Sequence, residues 1–152
     1  TACYALETIP ELDLTNGKKF SSMFSKCKEL RILPRLNTVN GTSFAQMITD
    51  CDKLERVNGL NLSNRGDTAS NTIYNVGLLK EVIFEGTLNE YAGKYDLLYP
   101  TWNNTAVESI INALVDYSGG TAKVLRINSN VIAALTEDQV VAITEKNWTI
   151  QS

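Results

Sequence analysis

The sequence predicts a single α/β domain built by repetition, with a parallel β ladder along one face and short helices along the other. Three observations carry that expectation. Cysteines fall at Cys3, Cys27 and Cys51, at two equal steps along the chain, and spacing that regular marks a repeat. The apolar register holds over the same period: Leu6, Leu30 and Leu54 align, then Ile9, Leu33 and Val57, then Leu12, Leu36 and Leu60. The last third alternates apolar helical stripes with short β-branched runs.

Each element of one unit has a local reason. The run Glu29-Leu30-Arg31-Ile32-Leu33 is apolar and β-branched enough for one strand, and Pro34 ends it. Asn40-Gly41 is a favoured turn dipeptide. Thr42 or Ser43 then caps a short helix carrying Phe44, Met47 and Ile48 on one face. Other positions repeat with the same period: Pro10 with Pro34, Asn16 with Asn40 and Asn64, Phe20 with Phe44, and Met23 with Met47. One strand and one helical turn enclose no core alone, but stacked copies cover each other's apolar faces. The strands then form a parallel ladder at about 4.8 Å per unit. A fourth, degenerate copy runs through Leu79, Val82, Ile83, Phe84 and Gly86, one residue out of register. A 24-residue unit lies within the 20–29 range of leucine-rich repeats, so the fold class is an α/β leucine-rich-repeat solenoid.

The string Phe20-Ser21-Ser22-Met23-Phe24-Ser25-Lys26-Cys27-Lys28-Glu29-Leu30 resembles the "MF-x-x-C-x-x-L" signature of BspA-like bacterial leucine-rich repeats. Leu60-Asn61-Leu62-Ser63-Asn64, followed by Asp67-Thr68, is similar to their "LDLSN…DTSN" stretch. The resemblance covers residues 1–90. The third unit departs from it, because Thr68, Asn71 and Thr72 replace the Phe, Met and Phe positions. A looser loop is expected there.

Beyond a junction at 91–104, residues 105–152 read as further helix–strand units and a cap. Val107, Ile110, Ile111, Leu114 and Val115 form a helical stripe, with Thr105 as N-cap, Glu108 completing a capping box and Ser118-Gly119-Gly120 as the stop. Lys123–Ile127 alternates as a strand. Thr136 precedes a helix carrying Val140, Val141 and Ile143, with a polar outer face, and Trp148–Ile150 is a last strand. The run from Asp116 to Lys123, and the ending from Leu135 through Lys146-Asn147-Trp148-Thr149, resemble the C-terminal module of leucine-rich-repeat proteins of phages and prophages. Asn147 stands where glycine is expected. Thr1-Ala2-Cys3 corresponds to Ser25-Lys26-Cys27, so the repeats are expected to belong to a longer array with an uncapped N-terminal edge.

Composition narrows the chemistry. At 152 residues the chain has the size of one domain and buries enough core to need neither metal nor disulfide. Its 43% hydrophobic and 20% charged residues are ordinary for a globular domain. A net charge of −3 argues against a phosphate-backbone binder, so no nucleic-acid partner is expected. With no histidine, Ser-His, Cys-His and His-metal mechanisms are excluded within the chain. No run of 18 apolar residues and no charged-then-apolar leader occurs, so neither membrane insertion nor a signal peptide is expected.

The candidate sites follow. Cys3, Cys27 and Cys51 read as a column of inward-pointing thiols, and Leu6, Leu30 and Leu54 as the matching core positions. No Cys-x-x-Cys pair accompanies them, so neither a metal nor a cofactor is expected. Tyr91, Tyr95, Tyr99 and Trp102 are either an exposed binding patch or packing at the junction. Arg65-Gly66-Asp67 spells a tripeptide that integrins recognise, though three residues are a weak motif. Glu7, Glu29, Lys53, Glu81 and Glu85 surround the strands. They would line the face that repeat proteins use for binding.

The residues and the resemblance together imply a non-enzymatic protein-binding or adhesion module. It would be extracellular, on a bacterial cell surface or phage virion, with a protein or glycan of a cell surface as partner. Self-association through the N-terminal edge would be a further contact. The alternatives are a carbohydrate-binding or carbohydrate-active domain using carboxylates and the Tyr91–Trp102 aromatics, and a purely structural spacer.

Overall fold

The computed structural model describes residues 3–66, 71–90, 94–98 and 101–152. The strands are β1 (Phe24–Ser25), β2 (Ile32–Leu36), β3 (Ile48–Thr49), β4 (Arg56–Asn61), β5 (Ile73–Tyr74), β6 (Glu81–Glu85), β7 (Lys94–Leu97), β8 (Lys123–Ile127) and β9 (Trp148–Gln151). The helices are α1 (Asn104–Ala113), α2 (Ser129–Ala134) and α3 (Glu137–Glu145). The result is a mixed α/β domain with three parallel sheets, ordered β1-β3-β5, β2-β4-β6 and β7-β8-β9.

The pairing repeats the period of the sequence. Phe24 pairs with Ile48 and Ile48 with Ile73. Ile32 pairs with Arg56 and Arg56 with Glu81. The first step in each of these two sheets matches the spacing of the cysteines, and the second is one residue longer. A bulge between Val57 and Leu60 shifts the register within the second pairing, so that Leu60 lies beside Phe84. Side-chain amides repeat in the same way. Asn40 Nδ2 donates to the Thr15 carbonyl at 2.8 Å, Asn64 Nδ2 to Val39 at 2.7 Å, and Asn89 Nδ2 to Ser63 at 2.8 Å. Each satisfies a loop carbonyl of the preceding unit that no strand reaches.

The helix expected around Phe44, Met47 and Ile48 does not form; turns and the two-residue strands β1, β3 and β5 occupy that side. The backbone explains the difference. Ser22 and Gln46 are left-handed, as are Lys26, Asp50 and Asn75, with φ between 51° and 60°. An α-helix cannot run through such residues. Amide hydrogens bond across units instead of along the chain: Phe24 N–H to Met47 O at 2.8 Å, Lys26 N–H to Thr49 O at 2.8 Å, Ile48 N–H to Thr72 O at 2.9 Å. The apolar side chains still point inward, and Phe44, Met47 and Ile48 are fully buried. Pro34 does not end its strand but sits within β2. β2 is an edge of its sheet, where one side of a proline needs no ladder partner.

The C-terminal part differs in detail from expectation. Asn103 caps α1, its Oδ1 accepting from Ala106 N–H at 2.9 Å, in place of Thr105. Glu108 closes no capping box; it accepts from Gln139 Nε2 at 2.6 Å. Helix α1 stops at Ala113 because Leu114 enters a parallel bridge with Leu88, well before Ser118-Gly119-Gly120. Thr136 does cap α3, with Gln139 completing a capping box. The outer face of α3 is not wholly polar, since Val140 and Val141 are exposed. Helix α2, capped by Asn128, has no counterpart among the expected elements. Asn147 is left-handed at φ 63°. It does the work of the expected glycine while its Nδ2 donates to the Tyr117 and Gly120 carbonyls.

One apolar cluster runs through all three sheets, from Phe20 to Trp148. Leu30 and Leu54 are fully buried, as are Leu33 and Val57, and Leu36 and Leu60. Their counterparts Leu6, Ile9 and Leu12 are only partly buried and pack on the cluster's N-terminal end.

Candidate functional site

The alternation of strands creates the candidate surface. In β2, β4 and β6 the residues Leu33, Val57 and Val82 turn inward, whereas Ile32, Arg56 and Glu81 turn outward. Charges of opposite sign face one another across adjacent units. Lys28 meets Asp52 at 3.2 Å, Lys53 meets Glu29 at 2.5 Å, and Arg31 meets Glu55 at 3.1 Å. Arg56 meets Glu81 at 2.9 Å. Each is a surface pair contributing about 0.2–1 kcal/mol. Together they favour this order of units, because a slip of one unit would set Arg31 against Lys80 and leave Lys28 and Glu29 opposite the uncharged Gly77 and Leu78.

One pair spans two steps. Arg35 Nε reaches Glu85 Oε1 at 2.6 Å, over the middle strand. Gly59 makes this crossing possible. A Cβ there would stand 2.8 Å from Arg35 Cγ and 2.9 Å from Glu85 Oε1. Glu85, and more weakly Glu11, hold the Arg35 guanidinium above its usual range. Beside these ladders lies a shallow depression of about 380 Å³, lined by Glu55, Arg56, Leu78, Lys80, Glu81 and Asn103. Leu78 and Ile32 are each about half exposed, at 48% and 51%.

Of the carboxylates expected around the strands, Glu29, Glu81 and Glu85 each meet a cation, whereas Glu7 stands exposed in the first unit. Glu29, Glu55, Glu81 and Glu85 all lie in ion pairs. A cation-bound carboxylate is a poor match to the free acid–base pair of glycoside cleavage.

Cys27 and Cys51 are fully buried, and Cys3 is half-buried at the N-terminal end of the same column. They leave turns rather than a helical turn. The Cys51 thiol donates to the Phe24 carbonyl at 2.9 Å, and burial pushes its pKa up to about 11. Burial also raises Cys27, helped by the neighbouring Cys3 thiol. Thiols held protonated are inert as nucleophiles and as ligands. No group of three or more metal-ligating side chains occurs among the described residues.

Of the four clustered aromatics, Tyr91 and Tyr99 lie outside the described residues. Tyr95 and Trp102 are core residues at 3% and 5% exposure, a correction to their reading as an exposed patch. Trp102 packs edge-on against Phe84 with ring centres 6.3 Å apart, and its Nε1 donates to the Leu97 carbonyl at 3.2 Å. Tyr95 lies under the Arg65 guanidinium, 4.7 Å from the ring centre. Arg65 thus has a structural partner, while Asp67 of the same tripeptide is outside the described residues.

The charge pairing between units is the feature least visible in the sequence. Glu29 and Lys53 stand out there, but Arg31–Glu55 and Arg35–Glu85 do not, although their partners lie one and two repeat steps apart. No helix among the described residues is long and apolar enough to cross a membrane. No family model matches the chain, and no curated protein or solved structure does either.

Proposed function

We propose that this chain is a BspA-like leucine-rich-repeat solenoid that acts as a non-enzymatic protein-binding or adhesion module. In this reading it belongs to a bacterial cell surface or a phage virion, and a protein or glycan on a cell surface is its partner. The observation that carries it is the outward face of β2-β4-β6. Across that face the charges neutralise one another between units, and Ile32 and Leu78 remain as exposed apolar points beside a shallow depression. Such a surface suits shape-complementary contact with another macromolecule. The 24-residue pairing period and the Met23-Phe24 to Leu30 signature support the solenoid. Chemistry has little support, because histidine is absent and the two inner thiols are buried.

The test is an array of glycans and extracellular-matrix proteins probed with the wild type and with Ile32→Glu/Leu78→Glu. Binding that the double variant loses, with the glycan left intact, supports the reading. Release of reducing ends from a polysaccharide, or binding that ignores both substitutions, refutes it.

A further inference from the structure

The strand face of the second to fourth units carries its charges in pairs, with one exception. The charged residues of 28–36, 52–61 and 77–85 are taken up in the five ion pairs described above, apart from Lys80. Lys80 is exposed and has no carboxylate partner among the described residues.

The fold explains why Lys80 is left over. Arg31, Glu55 and Lys80 stand in one column, with Glu55 N–H donating to Arg31 O at 2.9 Å and Lys80 N–H to Glu55 O at 3.1 Å. Glu55 is already held by Arg31. The next place in the column is Asn103, whose N–H donates to Lys80 O at 2.8 Å. That residue caps α1 and offers no charge: its Oδ1 accepts from Ala106 N–H, and its Nδ2 donates to Glu81 Oε2 at 2.8 Å. The neighbouring column ends in the same unit. Glu29 meets Lys53, and the residue that follows is Leu78, half exposed where a charge would continue the pattern. Leu78 and Lys80 therefore line the same depression of about 380 Å³. Its other charges are occupied, Glu55 by Arg31 and Glu81 by Arg56 and Asn103. Glu108 of α1 lines a separate depression, where it accepts from Gln139. One uncompensated ammonium thus stands beside one apolar point.

We infer that this depression recognises an acidic polypeptide segment, which sets a glutamate or aspartate carboxylate on the Lys80 ammonium and a nearby aliphatic side chain on Leu78. A carboxylate from outside displaces no internal partner of Lys80, so the charge-assisted contact is gained without breaking one of the inter-unit pairs. The aliphatic group removes the exposed surface of Leu78 from water. An acidic sugar would match Lys80 equally well, but it would lay hydroxyls over Leu78, which cannot hydrogen-bond them. The inference rests on the reading of this face as a binding surface and names the chemistry of its partner.

The experiment probes an array of acetylated peptides with the intact chain. One set holds leucine and glutamate at close spacing in an otherwise random background; matched sets carry glutamine or lysine in place of the glutamate. The wild type should retain the glutamate set roughly 1.5- to 5-fold more strongly than the glutamine set, as expected from one exposed ion pair. Lys80→Gln should abolish that preference, and Lys80→Glu should turn it toward the lysine set. Both substitutions fall at an exposed position, and an unchanged circular dichroism spectrum checks that folding is intact. Leu78→Ser should weaken retention of all sets alike. Equal retention of the sets by the wild type, no retention of any, or a preference that survives Lys80→Gln would overturn the inference. So would binding of an oligogalacturonate that depends on Lys80 while the glutamate peptides do not bind. The two readings fail separately. If Ile32→Glu/Leu78→Glu abolishes binding to the glycan and matrix array and Lys80→Glu leaves it intact, only the acidic partner is refuted; if neither variant changes that binding, the strand face itself is.

Discussion

Truncating one leucine position in three successive units measures how well each unit is covered. Leu6, Leu30 and Leu54 occupy the same place in their units, yet Leu30 and Leu54 are fully buried while Leu6 is only partly so. Leu54→Ala removes three buried carbons, about 2.4 kcal/mol of transfer energy at roughly 0.8 kcal/mol each. The hole cannot collapse easily between Leu30 and Leu79, which adds about 1 kcal/mol of cavity cost. The expected loss is therefore about 3–4 kcal/mol for Leu54→Ala and for Leu30→Ala. Leu6→Ala should lose about half of that or less, since water already reaches its side chain. Urea denaturation with unchanged slope gives the three values directly. A loss under about 0.5 kcal/mol at Leu54, or equal losses at Leu6 and Leu54, would refute this account of the core.

Other outcomes follow from the same geometry. Cys51→Ser should destabilise by roughly 1–3 kcal/mol, because a more polar group enters an apolar column; chemical denaturation reads it. In thiol labelling of the folded protein, Cys3 should react well before Cys27 and Cys51, and rapid labelling of all three would contradict their burial. The Cys51 thiol has a pKa raised from 9.0 to about 11. The unfolded chain thus loses that proton first, stability should fall as pH rises from 9.0 to about 11, and Cys51→Ala should flatten that fall. A double-mutant cycle should detect coupling between Arg35 and Glu85 at low salt. That coupling should vanish in Gly59→Ala, whose Cβ would intrude on both side chains.

Much of the fold was legible because its period is written in buried positions. The 24-residue spacing of cysteines and leucines reappears as the pairing of Leu33 with Val57 and Leu36 with Leu60. What was not legible is set by backbone rather than by side-chain type. The pattern of Phe44, Met47 and Ile48 suits a helix, but it suits an extended turn equally well once Gln46 and Asp50 turn left-handed. Nothing in the identities of Ser22, Lys26 and Gln46 announces a positive φ; only Asp50 and Asn75 are of the residue types with some preference for it. Helix α2 escapes a sequence reading because Val131 is its only fully buried residue, too little for a stripe. The aromatic spacing of Tyr95 and Trp102 could not distinguish a patch from packing; their burial does. The ion pairs were half legible. Opposite signs at matched positions are in the sequence, but only strand register shows that they face each other.

The most direct test of the account is the set of inter-strand Nuclear Overhauser contacts in the intact protein. Parallel, in-register stacking predicts contacts joining Leu33 to Val57 and Val57 to Val82, with none from Leu33 to Val82. Antiparallel contacts among these strands, or neighbouring strands paired at any offset other than a single repeat step, would contradict it.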